Sequence, residues 1–69
     1  MIKIFKTDVS NFQLAGYLLD CLSIQYPNYK MNFDLEDCDN ILRIEGTELC
    51  SESIIKQVLE ITYCCEELH

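Results

Sequence analysis

The stretch from Tyr29 to Leu35 alternates apolar and polar side chains without a break, and it constrains the fold more than any other segment. Its polar positions are Lys30, Asn32 and Asp34. Because successive side chains of a β-strand point to opposite faces, this pattern predicts a strand with one buried and one solvated face. The other elements are placed around this strand.

The first residues predict an earlier strand. Within residues 1–7, Ile2 and Ile4 share one face, and Lys3 and Phe5 share the other. We expect the face with Lys3 and Phe5 to be the open side of a sheet. The two isoleucines then lie on the opposite side.

Two more strands are predicted after an acidic turn at residues 36–40. The segment from Ile41 to Glu45 forms the third strand, with Leu42 and Ile44 facing inward. Residues 63–68 fit either a frayed helix or a fourth strand. We predict the strand, because their side chains alternate and the segment opens with poor helix formers.

Two helices are predicted between these strands. Ser10 and Gln13 match a capping box at the start of the first helix, which Pro27 ends. Ser51 is the predicted N-cap of the second helix. The apolar stripes at helical spacing are Leu14, Leu18, Cys21 and Leu22 in the first helix and Ile54, Ile55, Val58, Leu59 and Thr62 in the second.

The predicted element order is therefore β-α-β-β-α-β, in a single domain that spans residues 1–69. This order is typical of the α+β ferredoxin-like fold, a sandwich in which two helices cover one face of a four-stranded antiparallel sheet. We expect the strand order 4-1-3-2, which makes the second and fourth strands the edges of the sheet.

The charge of the chain limits its partners. Five Lys and Arg residues against twelve Asp and Glu residues give a net charge of −7. Nucleic acids and acidic membrane surfaces are not expected partners, because both are bound by positively charged surfaces. No stretch approaches the roughly 18 apolar residues of a membrane span, and residues 1–6 lack the apolar run of a signal peptide.

The cysteines indicate a reducing compartment. There are five of them, an odd number, and no C-x-x-C spacing occurs. We expect free thiols, most of them acting as small hydrophobic side chains, in a cytoplasmic protein. The sole histidine is His69, no Gly-rich phosphate loop is present, and we therefore expect neither an enzyme nor a bound cofactor.

Three segments match a known pattern in their order and spacing. They are Phe33-Asp34-Leu35-Glu36, Leu42-Arg43-Ile44 and Thr62-Tyr63-Cys64-Cys65-Glu66. With the element order and the length, they make the chain resemble the heavy-metal-associated domain of copper chaperones and P-type ATPases. The resemblance implies the ferredoxin-like fold. The first segment, continued to Asp39, also resembles a group of short bacterial proteins of unknown role.

The chain departs from that family at the loop that binds metal. The family's G-M-T-C-x-x-C motif corresponds to residues 8–14, where Val9 stands for the buried Met and Ser10 for the capping Thr. Asn11 and Leu14 occupy the two cysteine positions. Copper(I) is held by soft thiolate ligands, which an amide and an isobutyl group do not provide. The resemblance thus implies the fold without the family's usual activity.

A relocated soft-metal site is the alternative function. The resemblance places Cys38 and Cys64 at the end of the sheet that carries the metal loop, with Cys65 adjacent. The two edge strands lie roughly 14 Å apart, which is far for bonds of about 2.3 Å to one ion. Cys64 and Cys65 also point to opposite faces of a strand. A copper or zinc carrier using these three cysteines is the second hypothesis, and a small-ligand regulatory domain is the third.

The leading hypothesis is a non-catalytic module that acts through protein contact, as a monomer or weak homodimer. The open face offers a docking surface with Phe5 as its apolar centre, although an ordinary solvated face fits the same residues. In the second strand, Lys30 and Asp34 either guard the edge or permit strand addition. The residues predicted to lie on the side of the sheet that the helices leave uncovered are Lys3, Phe5, Lys30, Asn32, Asp34, Arg43 and Glu45.

Overall fold

The helices and strands follow the hydrophobic patterns of the sequence. The computed structural model describes residues 1–35 and 40–68, and it contains two helices and a four-stranded antiparallel sheet, which confirms the α+β class. None of the described helices has the length and apolar character needed to cross a membrane. The elements are β1 (Ile2–Thr7), α1 (Phe12–Gln25), β2 (Lys30–Asp34), β3 (Ile41–Glu45), α2 (Ser51–Leu59) and β4 (Cys65–Leu68).

The strands are arranged in the order β2-β3-β1-β4, so that β2 and β4 form the edges of the sheet. In the centre, Phe5 lies opposite Leu42 of β3 and opposite Glu67 of β4. On the β2 side, Lys30 lies opposite Glu45. The predicted fourth strand is confirmed at Cys65–Leu68. The predicted turn at 36–40 lies outside the described residues except for its last position.

The core lies between the sheet and the two helices. Leu42 and Ile44 of β3 are fully buried, as the alternation predicts, and Phe5 and Val9 join them. Among the other residues of the predicted helix stripes, Leu14, Cys21 and Ile55 are half-buried and Leu59 is exposed. Thr62 is buried, although it lies beyond the end of α2. The helix residues that belong to the same core cluster are Ala15, Leu18 and Leu22 from α1 and Ile54 and Val58 from α2.

The predicted orientation of β1 is wrong. Lys3 and Phe5 face the helices, and the two isoleucines of β1 lie on the open side of the sheet. The register explains the difference, because Lys3 pairs with Ile44 and Phe5 pairs with Leu42. Residues that lie directly opposite each other in an antiparallel pair point to the same face. Burying the two β3 side chains therefore buries this face of β1.

The N-cap of each helix lies one residue away from the predicted N-cap. In α1 the cap is Asn11 rather than Ser10, and its side-chain Oδ1 accepts a hydrogen bond from the backbone N of Leu14 at 2.8 Å. In α2 the cap position is held by Cys50, whose side chain makes no capping hydrogen bond, and Ser51 is the first helical residue. A side-chain hydrogen bond therefore caps the N-terminus of α1 but not that of α2.

Replacing Asn11 with alanine should lower the free energy of unfolding by about 1 kcal/mol, because the N–H of Leu14 loses its acceptor at the helix end. Ser10→Ala is the matched control and should leave the free energy nearly unchanged. Urea unfolding followed by circular dichroism measures both. A larger loss of unfolding free energy in Ser10→Ala than in Asn11→Ala would mean that Ser10, the predicted residue, is the N-cap.

The end of β3 brings the backbone close to an aromatic ring. A Cβ placed on Gly46 would lie 2.5 Å from Cδ1 and 2.8 Å from Cε1 of Tyr29. That ring is stacked on Tyr26, with centroids 5.1 Å apart, and its hydroxyl donates to the carbonyl oxygen of Glu48. Glycine is required at position 46 because the ring leaves no room for a side chain.

Candidate interaction surface

The side of the sheet that the helices leave uncovered has an apolar centre. Ile4 is 39% exposed and lies between Arg43 and Leu68, its partners on the two neighbouring strands. Leu68 and Ile2 are also exposed. We call this side the open face. It consists of Ile2, Ile4, Lys6, Lys30, Asn32, Asp34, Ile41, Arg43, Glu45, Glu66 and Leu68.

The open face carries no net charge. Opposite charges are cross-strand neighbours within it, because Lys30 lies opposite Glu45 and Lys6 lies opposite Glu66. The whole chain carries a net charge of −7, so the surplus negative charge lies on the rest of the molecule. A partner that docks on this side of the sheet therefore meets the least acidic part of the protein. The balancing residues are Lys6, Lys30 and Arg43 against Asp34, Glu45 and Glu66.

A shallow depression of about 240 Å³ lies where β2 meets β3. Four of the residues predicted for the docking surface line it: Lys30, Asn32, Arg43 and Glu45. They supply hydrogen-bond donors and an amide oxygen beside the apolar centre at Ile4. The depression is smaller than the roughly 300–1,000 Å³ of typical small-molecule pockets, so it fits a side chain of a protein better than a separate ligand.

Two of the predicted docking residues, Lys3 and Phe5, belong to the core side. Phe5 has no exposed surface. Lys3 Nζ donates to Ser51 Oγ at 2.7 Å and forms an ion pair with Glu67 Oε2 at 3.3 Å. It therefore links β1 to α2 and β4. The apolar residues that replace Phe5 as the centre of the open face are Ile2, Ile4 and Leu68, which the register between β1 and β3 could have identified.

The loop at residues 8–14, which the resemblance compares with a metal loop, contains a hydrogen bond at its helix end. The two residues that the resemblance sets at the cysteine positions, Asn11 and Leu14, are joined directly by the capping hydrogen bond. Leu14 is half-buried against the core, and Val9 at the preceding Met position is fully buried. Neither residue at a cysteine position carries a soft donor atom, so this loop cannot hold copper(I) in the family's manner.

Cys64 and Cys65 lie at the start of β4, beside Asp8. The Asp8 carboxylate accepts backbone hydrogen bonds from Tyr63 N and Cys64 N, each at 3.3 Å. Burial raises the pKa of the Cys65 thiol to about 11, and the nearby Cys64 and Asp8 add to the rise. Cys38 lies outside the described residues. The described part of the chain contains no group of three His, Cys, Asp or Glu side chains that could hold a metal ion.

The helix layer contains a second depression, a groove of about 220 Å³ between α1 and α2. Tyr17 stands at its margin and is 58% exposed. The groove is bridged by a hydrogen bond of 2.9 Å from Gln25 Nε2 to Gln57 Oε1. Like the depression on the sheet, it is smaller than typical ligand pockets.

Comparison of the chain with protein-family models, with curated proteins and with solved structures finds no match. The role of the protein must therefore be inferred from its own surfaces. Among the described residues, the open face is the one that combines adjoining exposed aliphatic side chains with balanced charge.

Proposed function

We propose that this chain is a non-catalytic, cytoplasmic protein-interaction module that binds a protein partner through the open face. The observation that carries the proposal is a face of zero net charge with an apolar centre, on a chain whose net charge is −7. Adjoining exposed aliphatic side chains on a sheet favour burial against another protein. Their polar surroundings match the rim that usually encloses such a centre.

The proposal includes a ferredoxin-like topology of the heavy-metal-associated type, with a loop that no longer binds metal. The element order and the strand order β2-β3-β1-β4 support this topology. The capping hydrogen bond between Asn11 and Leu14 supports the loss of metal binding. We do not extend the proposal to metal carriage by Cys65, because burial opposes formation of its thiolate.

The open face sets the chemistry of the partner. Ile4 and Leu68 form a contact for one or two apolar side chains. On the β2 side, Asn32 and Arg43 are placed to pair with carbonyl or carboxylate oxygens at the margin of that contact. Because the rest of the chain is acidic, long-range electrostatics favour a partner with a neutral or basic surface.

Ile4→Glu should strongly weaken partner binding, because it places a charge at the apolar centre of the open face. The immobilised protein captures partners from a cell extract, and each captured protein is identified by mass spectrometry, purified and titrated. The variant should weaken binding at least about 30-fold, which corresponds to ~2 kcal/mol.

Ile24→Glu is the matched control, because it introduces the same charge on α1 at a side chain that is 81% exposed. This variant should bind the partner as tightly as the wild-type protein does. Binding that is lost in Ile24→Glu and retained in Ile4→Glu would move the interaction to the helix layer. The proposal also fails when no captured protein depends on Ile4.

A further inference from the structure

The two edges of the sheet differ in what they can pair with. β2 and β4 are the outer strands, and no strand of the described residues pairs with their outer sides. An edge strand presents backbone N–H and C=O groups that a further strand can bind. Which strand is accepted depends on the side chains that the pairing brings opposite each other.

The sequence of β2 is complementary to itself in antiparallel pairing. When two copies of Lys30–Asp34 pair about their central residue, Lys30 of each copy lies opposite Asp34 of the other. On the other side of the sheet, Met31 of each copy lies opposite Phe33 of the other. Both apolar residues are half-buried at the margin of the core. The pairing thus joins opposite charges on the open face and apolar side chains on the helix side.

The charge pattern inside the sheet continues across this pairing. Lys30 already lies opposite Glu45 within the chain, and Asp34 of a second copy would flank it on the other side. In the monomer Lys30 has one carboxylate neighbour across the strands, and in the dimer it has two. This arrangement satisfies the rule that opposite charges across strands are favourable and like charges are not.

The other edge is not self-complementary. β4 contains Glu66 and Glu67 in succession, and antiparallel pairing centred on either residue brings two glutamates together. Like charges directly opposite each other destabilise a strand pair. Of the two edges, only that of β2 therefore suits a second copy of the same chain.

We propose that a second copy of this chain binds at the β2 edge, with β2 pairing antiparallel to β2 about a twofold axis at Asn32. The axis runs perpendicular to the sheet, so that both pairs of helices lie on the same side of one continuous sheet. The two open faces then join into a single surface, and neither is covered. This inference goes beyond the proposed partner binding, and either proposal can fail without the other.

The dimer is expected to be weak and dependent on concentration. Each copy carries a net charge of −7, and this repulsion is screened only beyond about 8 Å at physiological salt. Two paired five-residue strands also bury less than the ~800 Å² per partner that stable interfaces bury. A dissociation constant in the micromolar to millimolar range follows.

Charge reversal at the β2 edge tests the proposal. Lys30→Glu makes both charged positions of β2 acidic, and Asp34→Lys makes both basic, so that each variant alone pairs like charges. Analytical ultracentrifugation should show the dimer dissociation constant raised at least about tenfold in each. An equimolar mixture restores opposite charges in both pairs. Native mass spectrometry with one isotope-labelled chain should show the heterodimer as the dominant dimer.

Amide hydrogen exchange of the wild-type protein gives a measurement that needs no variant. Residues of β2 should gain protection as the protein concentration rises, and residues of β4 should not. Glu66→Gln, at the other edge, is the matched control and should leave the dissociation constant unchanged. A dimer that is at least about tenfold tighter in this variant, which is more than the loss of one charge from the whole molecule produces, or protection gained in β4, would place the pairing at β4 and overturn the proposal.

Two further results would overturn it. One is a wild-type chain that stays monomeric up to about 1 mM, which is the weakest affinity that the pairing predicts. The other is a mixture of Lys30→Glu and Asp34→Lys that forms no more heterodimer than chance. Circular dichroism of both variants establishes that they are folded, and the exchange measurement decides the question when one is not.

Discussion

Phe5→Ala is expected to remove most of the stability of the protein. Phe5 is fully buried, and it lies opposite Leu42 in the core between the sheet and the helices. Truncating a buried phenylalanine to alanine costs about 3–5 kcal/mol. A chain of 69 residues has a total free energy of unfolding of roughly 3–10 kcal/mol. Thermal unfolding followed by circular dichroism should therefore show a midpoint lowered by about 12–40 °C.

Ile4→Ala is the control, because Ile4 directly precedes Phe5 in the same strand and points to the open face. With 39% of its surface exposed, it should lose no more than about 1 kcal/mol. The two variants together test the orientation of β1. A greater loss for Ile4→Ala than for Phe5→Ala would mean that β1 is turned the other way.

Gly46→Ala is expected to lower the free energy of unfolding by about 2 kcal/mol, which is typical of overpacking. The new methyl group would lie 2.5 Å from the ring of Tyr29. The ring cannot move aside freely, because it stacks on Tyr26 and its hydroxyl donates a hydrogen bond to the carbonyl oxygen of Glu48. Urea unfolding of the purified variant measures the loss.

Two comparisons separate this clash from a general effect of replacing glycine. Gly16→Ala should raise the free energy of unfolding by up to about 1 kcal/mol, because alanine favours helix and no atom obstructs its Cβ. In a Tyr29→Leu background, which removes the ring, Gly46→Ala should lose much less than in the wild type. An equal loss in both backgrounds would show that the ring is not the obstacle.

The sequence predicts β3 to the residue, including the inward direction of Leu42 and Ile44. It fails on the direction of β1, and the reason is physical. β1 carries apolar side chains on both faces, with Ile2 and Ile4 on one and Phe5 on the other, so its alternation tells which side chains share a face but not which face is covered. The answer depends on pairing with β3, because a slip of one residue exchanges the two faces.

Whether a strand alternates clearly between apolar and polar residues also decides how much of the interaction surface can be predicted. Lys30, Asn32 and Arg43 lie on the open face as expected, because their strands alternate between clearly apolar and clearly polar positions. Phe5 does not, because β1 offers no such contrast. The N-cap of α1 is a smaller case of the same kind. Serine and asparagine cap helices about equally well, so two adjacent candidates differ only in tertiary geometry.

The pairing of β1 with β4 has a consequence for the order in which the protein can fold during synthesis. Ile4 lies opposite Leu68, so the inner strand that is made first is completed by the strand that is made last of the four. Until residues 65–68 leave the ribosome, one side of β1 lacks its neighbour and Asp8 lacks the backbone donors of Tyr63 and Cys64. Contacts of such long sequence separation form late, so the side of β1 that faces β4 stays without a partner strand until residues 65–68 have been made.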